Sequence, residues 1–333
     1  MTFSRSWRWA LLAILAVLLA SCGDGFLGSK AAKVERNLFT NLPGANGQIL
    51  AVKFDDTSFA HPQQGIEDAD IVFVTQVEAG LTRLMAIYSS KYPEILGPVR
   101  SARISDIDIL AQFGRVGFAF SGAQKKMRPI ISAANLVNLS AERNPATIYP
   151  TDPDRSAPYA MMLHPLLLLQ KNSDLARPIS IGIEHGAGSD SRTAISGATI
   201  HWPSAQYEIR WDEKEKVFLT WHNKKLNLNS LGAQLGSPMM VIQIVEIHPS
   251  EFGDKFGGIT PKSTVTGTGR GYFFRDGTVT EVRWSRPQAT SPTSWTLIDG
   301  SPAYFANGQI WFFLTDREPD FTYPTPAPSP TKK

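Results

Sequence analysis

Apolar positions recur with several rhythms along this chain. Residues 9–20, WALLAILAVLLA, are apolar without a break. In 48–54 (QILAVKF) the pattern alternates, the period of a strand. Residues 69–75 (ADIVFVT) and 84–88 (LMAIY) are short continuous apolar runs, which predicts strands buried on both faces. Residues 104–113 (ISDIDILAQF) carry apolar side chains at 104, 107, 109, 110 and 113, a helical spacing. A further strand is expected over 116–120, and a helix over 163–170, begun at His164-Pro165.

Around 184–197 (EHGAGSDSRTAISG) glycine, serine and aspartate displace the apolar residues, as at a domain junction. Beyond it strand-like runs at 207–211, 217–221, 239–247, 264–274, 278–285 and 309–314 alternate with turn signals. Asp212 to Lys216 and Arg275-Asp276-Gly277 are hairpin turns of this kind. Gly267-Thr268-Gly269-Arg270-Gly271 ends without the Lys-Ser/Thr of a phosphate-binding loop and reads as a bulge or turn. The expected architecture is an α/β or α+β domain over 38–190, followed by a mainly β domain over 195–318. Residues 319–333, ending YPTPAPSPTKK, are expected to form a disordered proline-rich tail.

The first apolar run changes the cellular setting. Arg5 and Arg8 precede it, and it is short for a membrane span but suits a signal segment. It ends Leu19-Ala20-Ser21-Cys22, which resembles the lipobox of bacterial lipoproteins. The resemblance implies cleavage after residue 21, a lipid such as palmitate on Cys22, and a tether over 22–37. Cys22 is the sole cysteine, so the mature chain is expected to have no disulfide and to be extracytoplasmic, with the membrane as a partner through its lipid.

Composition adds two exclusions. With 42% hydrophobic and 19% charged residues, the 333-residue chain is neither disordered nor a multi-span membrane protein. The formal charge of +3 includes Arg5 and Arg8; without them 31 basic residues face 30 acidic ones. The remaining basic pairs are scattered, so nucleic acid is not an expected partner.

Several blocks together resemble one bacterial family, the YerB-like lipoproteins, a two-domain family of unknown function (DUF3048 type). They are Ala69 to Val72, Val77 to Arg83, and Gly97-Pro98-Val99-Arg100-Ser101-Ala102-Arg103. In the second half they are Phe274 to Gly277, Trp284, and Gly308 to Trp311. The likeness spans roughly residues 45–315. The chain departs from the family at Asp55-Asp56, where the family has Asp-Asn. It departs again at Ala157-Pro158-Tyr159-Ala160 after Arg155, where the family has Ala-Pro-His-Asn, and at Phe120-Ser121-Gly122, where a His-Gly-Gly-like turn is usual. Any chemistry resting on those histidines is missing here.

The charged residues of these blocks are the candidate chemistry. Arg83, Arg100 and Arg103, with Ser101, form a set suited to a phosphate or carboxylate, because guanidinium forks bind such groups bidentately. Arg100 and Arg103 are expected at i and i+3 on the first turn of the helix over 104–113. Glu78, Asp70 and Asp106 are close in sequence. Either Glu78, Asp106 or Asp108 neutralises the arginines, or they are left for a ligand, and both readings stand. The leading expectation is a binding or scaffold protein without a cofactor, whose partner is an envelope protein or an anionic glycopolymer.

The alternative is an enzyme acting on phosphorylated glycopolymer precursors. A looser similarity to phosphotransferases of the LytR-CpsA-Psr type supports it, and would use Asp55, Asp56 and Asp70 to hold Mg²⁺. The six histidines show no zinc spacing, so no metal site is expected from them. Ser101 and Ser121 would be nucleophiles only beside a base. The tryptophans at 202, 211, 221, 284, 295 and 311 are expected mainly in the core.

Overall fold

In the computed structural model, residues 34–254 and 257–325 are described. The leader, Cys22 and residues 326–333 lie outside them. The first half carries strands Leu50–Asp55 (β1), Ile71–Gln76 (β2), Thr82–Tyr88 (β3), Val116–Ala119 (β4) and Leu136–Asn138 (β5). Its helices are Ile104–Leu110 (α1), Arg128–Ala133 (α2) and Pro165–Gln170 (α3). The second half adds Thr193–Ala194 (β6), Gly197–Trp202 (β7), Ala205–Asp212 (β8), Val217–His222 (β9), Lys225–Leu226 (β10), Gly236–Ser237 (β11) and Met239–Ile244 (β12). Then come Ile247–Gly253 (β13), Ile259–Ser263 (β14), Gly267–Arg275 (β15), Thr278–Arg286 (β16), Ser294–Leu297 (β17), Ile310–Thr315 (β18) and Asp320–Thr322 (β19).

Both halves contribute to one large sheet, in the order β17-β16-β15-β12-β18-β2-β3-β1-β4-β5. The seam is parallel pairing of β18 with β2, from Ile310 opposite Ile71 to Phe313 opposite Val74. The sequence signal at 184–197 thus marks a junction in the chain, but not a break in the sheet. A second, antiparallel sheet, β10-β9-β8-β7-β19, packs on one face of the first.

Alternate residues of the central strands enter two different cores. Val72 and Val74 join Ile200, Tyr207 and Phe218 under the second sheet. Ile71 and Phe73 join Ile109, Leu110 and Phe113 on the other face. Cover on both sides is why β2 and β3 read as unbroken apolar runs, whereas β8 and β9, half-exposed, alternate. Each fully buried large side chain, such as Trp311 or Phe113, contributes about 1.5–3 kcal/mol.

The chain is mainly β. The α character expected of the first half is confined to three helices of seven, six and six residues. The reason is the cover: one face of the central sheet packs against strands where an α/β fold would place helices.

Two local expectations are corrected. Gly267 to Gly271 lie in regular strand pairing with β16 rather than in a turn. A side chain on Gly269 would meet the Trp284 indole at 2.6 Å, and one on Gly271 the Ile242 carbonyl at 2.5 Å. These glycines allow close approach, not a bend. At the other end, Asp320–Thr322 extend the second sheet by pairing with β7, so the start of the expected tail is ordered.

Candidate functional site

The segment 97–103 does not open α1 with its arginines on one helical face. It runs extended between the ends of β1 and β4: Arg100 N donates to the Lys53 carbonyl (2.8 Å), Ser121 N to the Arg100 carbonyl (3.0 Å), and Ala102 N to the Gly122 carbonyl (3.0 Å). Arg103 is the cap residue of α1 and is itself extended. Its N–H donates to Asp106 Oδ2 at 2.7 Å, so Asp106 closes the helix start.

Below this floor lies a buried ion pair. Asp106 Oδ1 sits 2.6 Å from Lys53 Nζ, and both side chains are fully inaccessible. Lys53 also donates to Thr75 Oγ1 (3.2 Å). Burial pulls the Lys53 ammonium below its usual range, and Asp106 pulls it back only in part.

Above the floor the arginines meet. Arg100 Nε is ion-paired with Asp55 Oδ2. Arg103 Nε donates to Glu78 Oε1 at 2.6 Å, and Thr260 Oγ1 donates to the same oxygen. Glu78 reaches this point because the chain turns sharply through Ala79 (φ 57°) and Gly80 (φ 70°). A Cβ on Gly80 would lie 2.5 Å from Pro203 Cβ, so the turn needs glycine in contact with the β7–β8 hairpin. Burial pushes the Glu78 carboxyl up, but Arg103 and Thr260 outweigh it and hold the group below its usual range.

Arg83 is different. It is 7% exposed, and among the described residues its side chain makes one hydrogen bond, Nη1 to the Ser101 carbonyl at 2.9 Å. Among the described residues it has no ion-pair partner. Burial first, then the nearby Arg103 and Arg100, push its guanidinium down to about 9. In the inner cluster four cationic side chains (Lys53, Arg83, Arg100, Arg103) face three carboxylates (Asp55, Glu78, Asp106). The arginines line a cleft of about 630 Å³ together with Glu78, Tyr159 and Thr260, and its rim carries two further carboxylates, Asp254 and Glu142, the latter paired with Arg128.

Tyr159 divides this cleft from a second one of about 660 Å³ that holds Phe59, His61, Asp152, Asp154 and Arg155. Phe59, 77% exposed, stacks on Tyr159 with ring centroids 5.5 Å apart. The Arg100 guanidinium carbon lies 5.8 Å from the centre of the same tyrosine ring.

The predicted residues divide into three groups. Arg83, Arg100, Arg103, Ser101 and Glu78 are brought together. Asp106 lies beneath them as a helix cap and ion-pair partner. Asp70 is not brought to the cleft; it stands before the opposite end of β2, where it accepts from Ser89 N (2.6 Å), Ser89 Oγ (2.7 Å), Ser90 N (3.0 Å) and Ser90 Oγ. The carboxylate trio considered for Mg²⁺ is therefore not assembled. Ser101 Oγ faces Ser121 Oγ at 3.3 Å, and no hydrogen bond links either hydroxyl to a histidine or carboxylate among the described residues.

Sequence reading missed Lys53, Thr260 and the surroundings of Asp56. A lysine inside the apolar run 48–54 was the one available signal for the first. Nothing in the sequence links Asp56 to Tyr207, whose hydroxyl donates to it at 2.8 Å from 151 positions away.

Comparison with known proteins agrees with this layout. A stretch of 54 residues is 46% identical to "Putative lipoprotein YerB" of Bacillus subtilis (strain 168), covering 16% of this chain and 16% of that protein. The chain thus matches about a sixth of that relative's length. The crystal structure of YerB from Bacillus subtilis superposes with a TM-score of 0.69 at 19% identity, over 85% of this chain and 97% of that one, so the two share a fold. The profile described as the N-terminal domain of a protein of unknown function, DUF3048, matches residues 39–200, and that of the C-terminal domain matches 198–312. Together they span most of the chain, which belongs to the YerB-like DUF3048 family.

Proposed function

We propose that this protein is a lipid-anchored binding protein of the bacterial envelope, and that the arginine cleft holds an anionic group of its ligand. The observation that carries the reading is Arg83, a buried cation without a carboxylate partner that faces an open cleft beside two further arginines. A buried unpaired charge is costly, and a phosphate or carboxylate would relieve it with charge-assisted bonds. Of the two partner classes that the sequence points to, an anionic glycopolymer is favoured by the exposed Phe59 stacked on Tyr159 at the edge of the cleft, a surface suited to a sugar ring. Anchoring through Cys22 rests on the lipobox resemblance and on the name of the YerB relative.

The enzymatic alternative, placed at the arginine cleft, needs carboxylates free beside the arginines to hold a metal or move a proton. Asp55, Glu78 and Glu142 are ion-paired with Arg100, Arg103 and Arg128, Asp56 is not among the residues that line this cleft, and Asp70 is at the far end of β2. The geometry favours capture over turnover.

Calorimetric titration of the purified protein with pyrophosphate tests the site. Binding is expected, and Arg83→Gln should weaken it about tenfold or more, the worth of a charged hydrogen bond. Failure of the wild-type protein to bind pyrophosphate, or equal binding by the variant, refutes the site. Cys22→Ser should abolish palmitate labelling and release the protein from membranes; retention there would refute the anchor.

A further inference from the structure

Asp56 is buried where the two sheets meet, a polar group at the edge of the core under the second sheet and apart from the arginine cleft. Tyr207 OH donates to its Oδ1 (2.8 Å) and Thr82 Oγ1 to its Oδ2 (2.6 Å). Gln63 Nε2 is a second donor to Oδ1 (3.2 Å), Oδ2 keeps a lone pair, and each oxygen faces an imidazole: His61 Nε2 is 3.1 Å from Oδ1, and His222 Nε2 is 3.7 Å from Oδ2. Donor atoms bound to one tetrahedral ion at about 2.0–2.1 Å lie about 3.3 Å from one another. The two separations, each to a different oxygen, lie close to that value, and one donor atom from each of the three residues lies within 4.8 Å of the others.

We propose that Asp56, His61 and His222 bind one divalent transition-metal ion of the zinc or cobalt class, in a site that opens through His61 onto the cleft beside Phe59 and Tyr159. Two imidazoles and a carboxylate suit such ions better than Mg²⁺ or Ca²⁺, which prefer oxygen ligands. Three further observations point to a ligand. His222, on β9 and nearly inaccessible, has one side-chain hydrogen bond among the described residues, a long one of 3.3 Å from the Asn223 amide to Nε2, which a metal at Nε2 would displace. Gln63 places its Nε2 3.2 Å from Asp56 Oδ1 and 3.3 Å from His61 Nε2, while its own Oε1 is buried without a partner. Tyr207 and Thr82 already fix the carboxylate, as the outer shell of a metal site does.

One adjustment is required. The His61 and His222 rings are parallel within 12°, with centroids 4.6 Å apart. Two parallel planes cannot both contain one ion, so one ring must turn to bring its lone pair into line. His61 is the ring free to do so: it sits on the loop after β1, its side chain is 17% exposed, and space lies beside it in the second cleft. His222, locked on its strand, supplies the fixed ligand. The open cleft leaves a coordination position for water or for a ligand group.

The test uses the full-length protein in detergent, without a histidine tag, stripped with chelator and titrated with Co²⁺ alone. One equivalent should give a visible ligand-field band of tetrahedral strength, and Zn²⁺ should abolish it. Asp56→Asn, close in shape, and His222→Gln should each weaken Co²⁺ binding about tenfold or more. His61→Gln alters only a partly exposed loop side chain, so it reads affinity in a protein whose core is unchanged; it too should weaken binding. Absence of a band in the wild-type protein, or a band unaltered by His61→Gln, overturns the site.

Discussion

The two ends of the β2–β3 pair each bury a charge, and they treat it differently. At one end Asp70, 1% exposed, accepts four hydrogen bonds from the backbone and hydroxyls of Ser89 and Ser90. At the other end the Arg83 guanidinium has five N–H donors and, among the described residues, gives one hydrogen bond, to a carbonyl. The first charge is finished within the fold, while the second has capacity left over and faces a cleft. Burial alone therefore does not distinguish a structural charge from a binding one; the share of its hydrogen bonds made within the protein does.

The largest effect is expected at the finished end. Asp70→Ala leaves the Ser89 and Ser90 donors without their acceptor, and should destabilise the protein by about 3 kcal/mol in urea unfolding. A loss below about 0.5 kcal/mol, the range of an ordinary surface substitution, would remove the contrast.

Arg83→Gln comes next, with the opposite sign. It removes a buried cation that makes no direct ion pair among the described residues and that Asp55 and Glu78 offset only in part, and it keeps a polar end near the Ser101 carbonyl. Unfolding should show no loss, or a gain of up to about 1 kcal/mol, together with the lost pyrophosphate binding; stability given up for a site is a common pattern. A loss as large as that of Asp70→Ala would mean that Arg83 is structural too.

This contrast was half legible in the sequence. β2, β3 and α1 follow from apolar periodicity, because burial on both faces leaves continuous runs and a helix leaves its spacing. The meeting of Arg83, Arg100, Arg103 and Glu78 was expected from their closeness in the chain. The same closeness misled for Asp70: the strand separating it from Glu78 is extended, which puts about 20 Å between the two. Lys53, Asp106, Asp56 and His222 were not legible as a group. Their partners come from other elements, and pairing across a sheet or between sheets leaves no periodic trace. Arg100, expected on a helix, lies on an extended segment because the ends of β1 and β4 both take its backbone hydrogen bonds.

The smallest expected effect separates the two ends by pH. Glu78 is held below its usual 4.5 by Arg103 and Thr260 against the push of burial, so its ion pair stabilises the fold above that value. That contribution is lost as pH falls through the lower folded-state value. Asp70 is displaced the other way: burial raises it above 3.8, and the serine hydrogen bonds restore only part of the shift. Its folded form takes up a proton more readily than the unfolded chain, so acidification adds stability through this group. Urea unfolding at pH 7, 5, 4 and 3.5 should show the destabilisation by Glu78→Gln shrinking under pH 4.5. The destabilisation by Asp70→Ala should hold or grow over the same interval. If both shrink together, the two ends share one electrostatic character and the distinction between a finished and an open charge fails.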